Sequence, residues 1–202
     1  MPRDTLDVVS DETLLVLYAN GDPAAARALT TRLAPRVLGY ATRLLTDRAE
    51  AEDVTQEAML RLWKIAPQWR AGEAQISTWL YRVATNLCTD QKRARRRRPA
   101  IALDDAPEVA AQSGSAVSSL MQADRMTALH RALDQLPDRQ RQAVVLRHIE
   151  GLANPEIAQI MDLGVEAVES LTARGKRALT AILAGRKADL GYDDDADERE
   201  AV

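Results

Sequence analysis

Residues 47–98 read DRAEAEDVTQEAMLRLWKIAPQWRAGEAQISTWLYRVATNLCTDQKRARRRR, and the order of side chains within them decides the fold. From about Ala49 to Ile65 the residues Val54, Ala58, Leu62 and Ile65 recur at helical spacing, which builds one apolar face. Thr46 or Asp47 stands where a helix cap is needed. Pro67 to Gly72 breaks the pattern, and Ser77 or Thr78 starts a second helix that reaches about Arg97. This helix ends in six basic residues out of seven, Lys92 to Arg98. The first helix offers carboxylates and apolar surface to a protein partner. The loop and second helix offer aromatics and positive charge, the combination that binds phosphates and unstacked bases.

Working outward, helical periodicity dominates and strand alternation does not appear. Asp11–Asn20 forms a short amphipathic segment closed by Gly21. Pro23 suits a first helical turn and opens a helix to about Leu45, with Pro35 placed to kink its middle. Residues 99–119, PAIALDDAPEVAAQSGSAVSS, change to Ala, Ser, Pro and Asp without a stripe and read as a linker. Such a segment reaches roughly 70 Å when stretched and about 25 Å as a relaxed coil. Beyond it, Leu120–Gln135 is helical, and Pro137-Asp138 starts a helix to about Ile149, ended by Gly151. Asn154-Pro155-Glu156 supplies a cap, an early proline and an acid. The resulting short helix, Glu156–Met161, stops at Asp162-Leu163-Gly164, and a long helix follows from Val165 to about Lys187. Short helix, glycine-containing turn and long helix make a helix-turn-helix. The expected class is all-α, two small helical domains joined by a flexible linker.

The 202 residues suit one domain or two small ones, and 46% hydrophobic with 28% charged is the balance of a folded soluble chain. No apolar run approaches the roughly 20 residues of a membrane span. The N-terminus lacks the order of a signal peptide. The single Cys88 excludes an internal disulfide, suits a reducing cytoplasm and reads as a small buried side chain. The net charge of −3 hides an asymmetry: from Asp189 onward seven acids stand against Arg199, leaving residues 1–188 near +3. The low total therefore says little against nucleic-acid binding. His130 and His148 are isolated from other metal ligands, and no cofactor or metal is expected. No phosphate loop or nucleophile–base set is present, so no enzyme is expected.

Two motifs carry a family resemblance. Residues 49–63, AEAEDVTQEAMLRLW, and 78–90, TWLYRVATNLCTD, followed by Gln91-KRARRRR, closely resemble region 2 of bacterial sigma factors of the extracytoplasmic-function (ECF) type. Residues 136–179, LPDRQRQAVVLRHIEGLANPEIAQIMDLGVEAVESLTARGKRAL, are similar to sigma region 4. The resemblance implies region 2 over residues 10–98, the linker over 99–119, region 4 over 120–187 and an acidic tail over 188–202, expected to be disordered. It implies an initiation factor of the bacterial cytoplasm that binds core RNA polymerase, through the clamp helices of β′ and the β flap, and directs it to promoter DNA. An anti-sigma factor is the implied regulator.

The resemblance also assigns roles. Asp53, Gln56, Glu57 and Leu60, spaced i, i+3, i+4, i+7 on one face, with Arg61, are the polymerase-binding set. Ala74, Gln75, Ile76 and Ser77 match the pocket for a flipped-out −10 base; Trp79, Arg82 and Asn86 share a helical face beside it. Asn86 is the better base contact, since core packing competes for the ring of Trp79. Lys92, Arg93, Arg95, Arg96, Arg97 and Arg98 would neutralise −10 phosphates. Glu166, Ala167, Glu169, Ser170, Ala173, Arg174 and Arg177 would face the −35 element.

The sequence departs from the family in the recognition helix, where Lys-Ser-Arg is replaced by Glu169-Ser170-Leu171, and the usual Leu and Ala by Thr172 and Gly175. Glu169 can accept a hydrogen bond from cytosine N4 but is repelled by phosphate. Leu171 serves either the core or a thymine methyl. An acidic recognition helix leaves one alternative function: a sigma-like decoy that sequesters an anti-sigma factor without touching DNA. The melting helix and the basic run speak against a decoy. The promoter, the anti-sigma partner and the role of the tail are not written in the sequence.

Overall fold

The computed structural model describes residues 9–70, 72, 75–97 and 116–184, of which 116–123 as backbone alone. The described residues form eight α-helices and no strand. Helix α1 spans Asp11–Ala19, α2 Pro23–Leu44, α3 Arg48–Ile65 and α4 Ile76–Arg97. They are followed by α5 at Ala116–Asp134, α6 at Asp138–Val144, α7 at Asn154–Met161 and α8 at Val165–Ala184.

Local chemistry explains the starts. The Ser10 hydroxyl accepts from the Thr13 amide at the head of α1, and Asp22 accepts from Ala24 at the head of α2. At the head of α3, Asp47 and not Thr46 is the cap, taking the amides of Ala49 and Glu50 at 2.8 and 3.2 Å. Each such cap is worth ~1 kcal/mol. Gly21, at φ +91°, turns the chain between α1 and α2 in a region open mainly to glycine. Helix α2 runs on through Pro35. Both Pro35 and Thr31 are exposed, so the Thr31 carbonyl that proline leaves without an amide donor faces solvent.

The first unit is a bundle of α2, α3 and α4 with α1 laid against α2. Its core is filled by Leu29, Leu33, Val37 and Leu44 of α2, Val54, Ala58 and Leu62 of α3, and Leu80, Ala84 and Cys88 of α4. A polar thread crosses it. The Thr85 hydroxyl donates to the Tyr81 carbonyl at 2.7 Å, so the buried Tyr40 hydroxyl, also 2.7 Å away, donates to Thr85. The rings of Tyr40 and Tyr81 meet edge to face at 5.2 Å, a favoured geometry.

The second unit departs from the sequence reading in three places. The expected helix 138–149 is α-helical only to Val144; Val145–Ile149 winds as a π-helix before Gly151 turns the chain. Asn154 was expected to cap α7, but it lies inside the helix: Ala153 is the cap, and its amide donates to the Glu156 carboxylate at 2.8 Å. The early acid thus satisfies the amide of the cap residue itself, the reciprocal half of a capping box. Helix α5 begins at Ala116, inside the stretch read as linker; residues 99–115 and the acidic tail lie outside the described residues.

Asp162, at φ +54°, ends α7 in the left-handed region, and Gly164 accepts the first hydrogen bond of α8. Helix α8 then buries Val168 and Gly175 against α6. At Gly175 the approach is so close that a Cβ would lie 2.6 Å from Val144 Cγ2 and 3.2 Å from the Gln140 carbonyl.

The two units pack on each other. Arg141, only 5% exposed, donates to the Leu44 carbonyl at the end of α2 and to Asp134. Helix α7 lies on α4, with Ile160 and Met161 buried. Glu150 accepts from the Tyr81 hydroxyl and pairs with Arg43 at 3.5 Å.

Candidate nucleic-acid interface

Helix α4 carries the first candidate surface. Alternating burial along it turns Leu80, Ala84 and Cys88 inward and leaves Arg82 and Asn86 exposed one turn apart. Trp79 is half-buried, its ring edge-on to Trp69 at 6.1 Å, so one side of it is engaged in packing. Of the loop residues, Gln75 is exposed and Ser77 half-buried. Ile76 corrects the sequence reading: at 2% exposure it is a core residue and cannot meet a base. Ala74 and Arg98 lie outside the described residues.

At the basic end of α4, Arg93, Arg95 and Arg97 are exposed. Lys92 and Arg96 both pair with the Asp138 carboxylate, at 2.6 and 2.9 Å; Lys92 is partly buried there, while Arg96 stays largely exposed. Partial burial works to raise the Asp138 carboxyl, but the Lys92 hydrogen bond and the charges of Lys92, Arg96 and Arg141 outweigh it and hold the group below the ordinary carboxylate range. Between the units lies a cleft of about 700 Å³ lined on one side by Arg82, Asn86 and Arg93, and on the other by Arg139 and Gln142. Sequence reasoning missed the second wall. The sequence marks Asp138 only as the start of a helix, and nothing in local periodicity pairs it with Lys92, 46 positions away.

Helix α8 carries the second surface. Glu166, Ala167, Glu169, Ser170, Ala173, Arg174 and Arg177 are all exposed, while Val168 is buried on the opposite side. Leu171 is half-buried and packs against the core, which decides its alternatives in favour of packing. Asn154 Nδ2 donates to Glu169 at 3.3 Å, and Arg174 Nε to the Ser170 carbonyl. Acids fall in the first half of the surface, at the positive end of the helix dipole, and arginines in the second.

A third surface lies on α3. Asp53, Gln56, Leu60 and Arg61 are exposed and Glu57 half-buried, with Arg61 Nε 2.7 Å from Glu57. Leu60 is 44% exposed, large for a leucine, and lies at the edge of an apolar groove with Ala34, Leu38, Met59 and Trp63. Cys88 is 1% exposed, and burial pushes its thiol up to about 12, outside useful nucleophile chemistry. Burial lowers both His130 and His148, and nearby cations (Arg43 for the first, Lys176 and Arg147 for the second) add to it.

A helical bundle with a basic, partly aromatic helix, joined to a helix-turn-helix unit, defines a two-part all-helical protein with nucleic-acid-binding character. Residues 29–98 match the Sigma-70 region 2 family and residues 126–179 the Sigma-70 region 4 family. The chain is 32% identical over 181 residues to the RNA polymerase sigma-H factor of Pseudomonas aeruginosa, spanning 86% of this chain and 93% of that protein. It is 30% identical over 179 residues to the ECF RNA polymerase sigma-E factor of Escherichia coli K12, spanning 85% and 93%. Its fold is similar to that of CnrH in complex with the cytosolic domain of CnrY, with a TM-score of 0.64 at 22% identity over 87% and 97% of the chains. The sigma factor RpoE in complex with the anti-sigma factor NepR from Bartonella quintana gives 0.64 at 20% identity over 78% and 96%. The chain belongs to the RNA polymerase sigma factors of ECF type, and it is an alternative initiation factor.

Proposed function

We propose that the three surfaces divide the work of initiation. The α3 face, Asp53, Gln56, Glu57, Leu60 and Arg61, docks on the β′ clamp helices of core polymerase, and region 4 reaches the β flap. Its acidic rim supplies charge complementarity and Leu60 an apolar anchor. Helix α8 reads the −35 element in the major groove, with Arg174 and Arg177 positioned for phosphate or guanine and Glu166 and Glu169 for base amino groups. Helix α4 acts at the −10 element.

The observation that carries this reading is the exposed line of Arg82 and Asn86 on α4, continued by Arg93, Arg95 and Arg97. A melted duplex must be held through something sequence-tolerant and something that captures an unstacked base. Arginines do the first by neutralising phosphate and releasing counterions. An exposed amide does the second, donating to and accepting from a base edge already out of the stack. With Ile76 in the core, the capture falls to Asn86 with Gln75 and Ser77. The protein has no chemistry of its own in this scheme: it positions DNA for the polymerase, works in the bacterial cytoplasm, and is held in check by an anti-sigma factor.

Permanganate reactivity of −10 thymines, on duplex and pre-melted promoter, separates the roles. Asn86→Ala should impair opening of the duplex more than initial binding. Arg174→Ala with Arg177→Ala should weaken initial binding and have little effect on the pre-melted template. Equal defects of both variants on both templates would refute the division. Glu166 and Glu169 on the recognition face favour the decoy reading, which requires no reactivity from the wild-type protein at all.

A further inference from the structure

We infer that Glu169 is a specificity-determining residue that selects cytosine at one position of the −35 element, and that Asn154 is the positioning residue that aims it. The inference rests on the reading of α8 as the −35 helix and deepens it, from a surface to the base that one side chain accepts. Asn154 stands in the first turn of α7, yet Ala153 is the cap, so the Asn154 side chain is not engaged at its own helix. Its Nδ2 instead donates across the helix-turn-helix to Glu169 Oε1 at 3.3 Å, 15 positions on. Asn154 is half-buried, and its Oδ1 is enclosed with no hydrogen-bond partner. The contact with Glu169 is therefore the one hydrogen bond that this amide makes among the described residues. The turn that permits it runs through the left-handed Asp162, at φ +54°, after which α8 packs beside α7.

A held glutamate differs from a free one. A free carboxylate on an exposed helix spreads over several rotamers, and fixing it against a base costs that freedom. Glu166, one turn earlier on the same face, has no side-chain hydrogen bond or ion pair among the described residues. Asn154 fixes one oxygen of Glu169 and leaves Oε2 to accept. In the major groove an acceptor is matched only by an exocyclic amine. Cytosine offers N4 with no acceptor beside it, whereas adenine N6 lies next to the N7 acceptor. Guanine O6 and N7 and thymine O4 are themselves acceptors and repel a carboxylate. Cytosine comes first, adenine second, guanine and thymine last. Phosphate repels the carboxylate as well, so Glu169 fits a base edge and not the backbone. Glu169 also stands where the family pattern has lysine. A donor has become an acceptor, and the base that it favours changes with it.

The test selects a fully randomised duplex library with holoenzyme, built from core polymerase and the full chain, and sequences the fragments retained. The wild-type protein should yield a −35 motif containing a cytosine. Glu169→Ala should reduce the preference for it about tenfold and leave the other positions as they were. Glu169→Gln, able to accept from N6 and donate to N7, should move that one position to adenine. Asn154→Ala should flatten the same cytosine. Asn154→Asp, which sets a second carboxylate against Glu169, should flatten it at least as far. A merely structural tie would weaken binding at all positions together, and circular dichroism verifies that both variants at 154 fold. If no position responds to Glu169→Ala, or the one that responds is guanine or thymine in the wild type, the inference is overturned while α8 remains the −35 reader. If the Glu169 variants shift the cytosine and the Asn154 variants do not, the positioning role is overturned. A wild-type holoenzyme that selects no −35 motif would overturn the reading of α8 and the inference with it.

Discussion

At Gly175 two opposing effects compete. Alanine there adds helix propensity, up to ~1 kcal/mol. It also drives a Cβ to 2.6 Å from Val144 Cγ2 and 3.2 Å from a backbone carbonyl. Val144 is buried and β-branched, so it has no open rotamer to take up, and overpacking of this kind costs about 1–3 kcal/mol. The clash wins: Gly175→Ala should lower stability by about 1–2 kcal/mol in urea unfolding, and an equally stable or stabler variant would show that α8 stands off from α6. Glycine at 175 thus lets α8 approach α6 closely. Tyr40 and Tyr81 show how polar groups survive in the same core. Burial pushes both hydroxyls up, strongly, and each has an acceptor, Thr85 for one and Glu150 for the other.

Among elements, α3 has the cleanest division between inside and outside. Its buried face is Val54, Ala58 and Leu62, and the residues proposed to face polymerase take no part in the core. Reversing Asp53 and Glu57 to Lys should abolish co-purification with core polymerase while leaving helical content unchanged, because the only described ion pair lost is Glu57–Arg61, worth ~0.3–0.5 kcal/mol. Retained binding would move the interface elsewhere. This helix was legible in the sequence because its periodicity is long and its cap is a strong acceptor. Helices α4 and α8 were legible from the same periodicity; of the residues assigned to their surfaces, Arg82, Asn86, Arg93, Arg95, Arg97 and the seven on α8 are exposed, Ser77, Trp79 and Lys92 are half-buried, and Ile76 is in the core. Ile76 was missed because a loop motif was read across a helix start, where the first turn already faces the core. The π-helix at Val145–Ile149 was missed for another reason: a helix that widens by one residue keeps its apolar pattern. Asn154 was misplaced because a side-chain cap was expected, whereas the helix starts one residue earlier at Ala153, whose amide the Glu156 carboxylate accepts from.

For the whole molecule, the sequence revealed two units but not how they meet. The contacts between them, Lys92–Asp138 and Tyr81–Glu150 among them, join residues with no local signature. In the polymerase complex the exposed arginines of α4 should act through phosphate. Changing Arg93, Arg95 and Arg97 to alanine should flatten the log–log salt dependence of promoter binding by about 2–3 units, with little change in preference among −10 sequences. Lost preference at an unchanged slope would contradict the assignment. The doubly held Asp138 carboxylate has a consequence for how this protein can be altered over generations. Lys92 and Arg96 answer to Asp138 as well as to any outside partner, so an exchange at either also alters the contact between the units, whereas Arg93, Arg95 and Arg97 can vary without disturbing it. Position 138 is bound by the same tie, because an exchange there releases two cations at once.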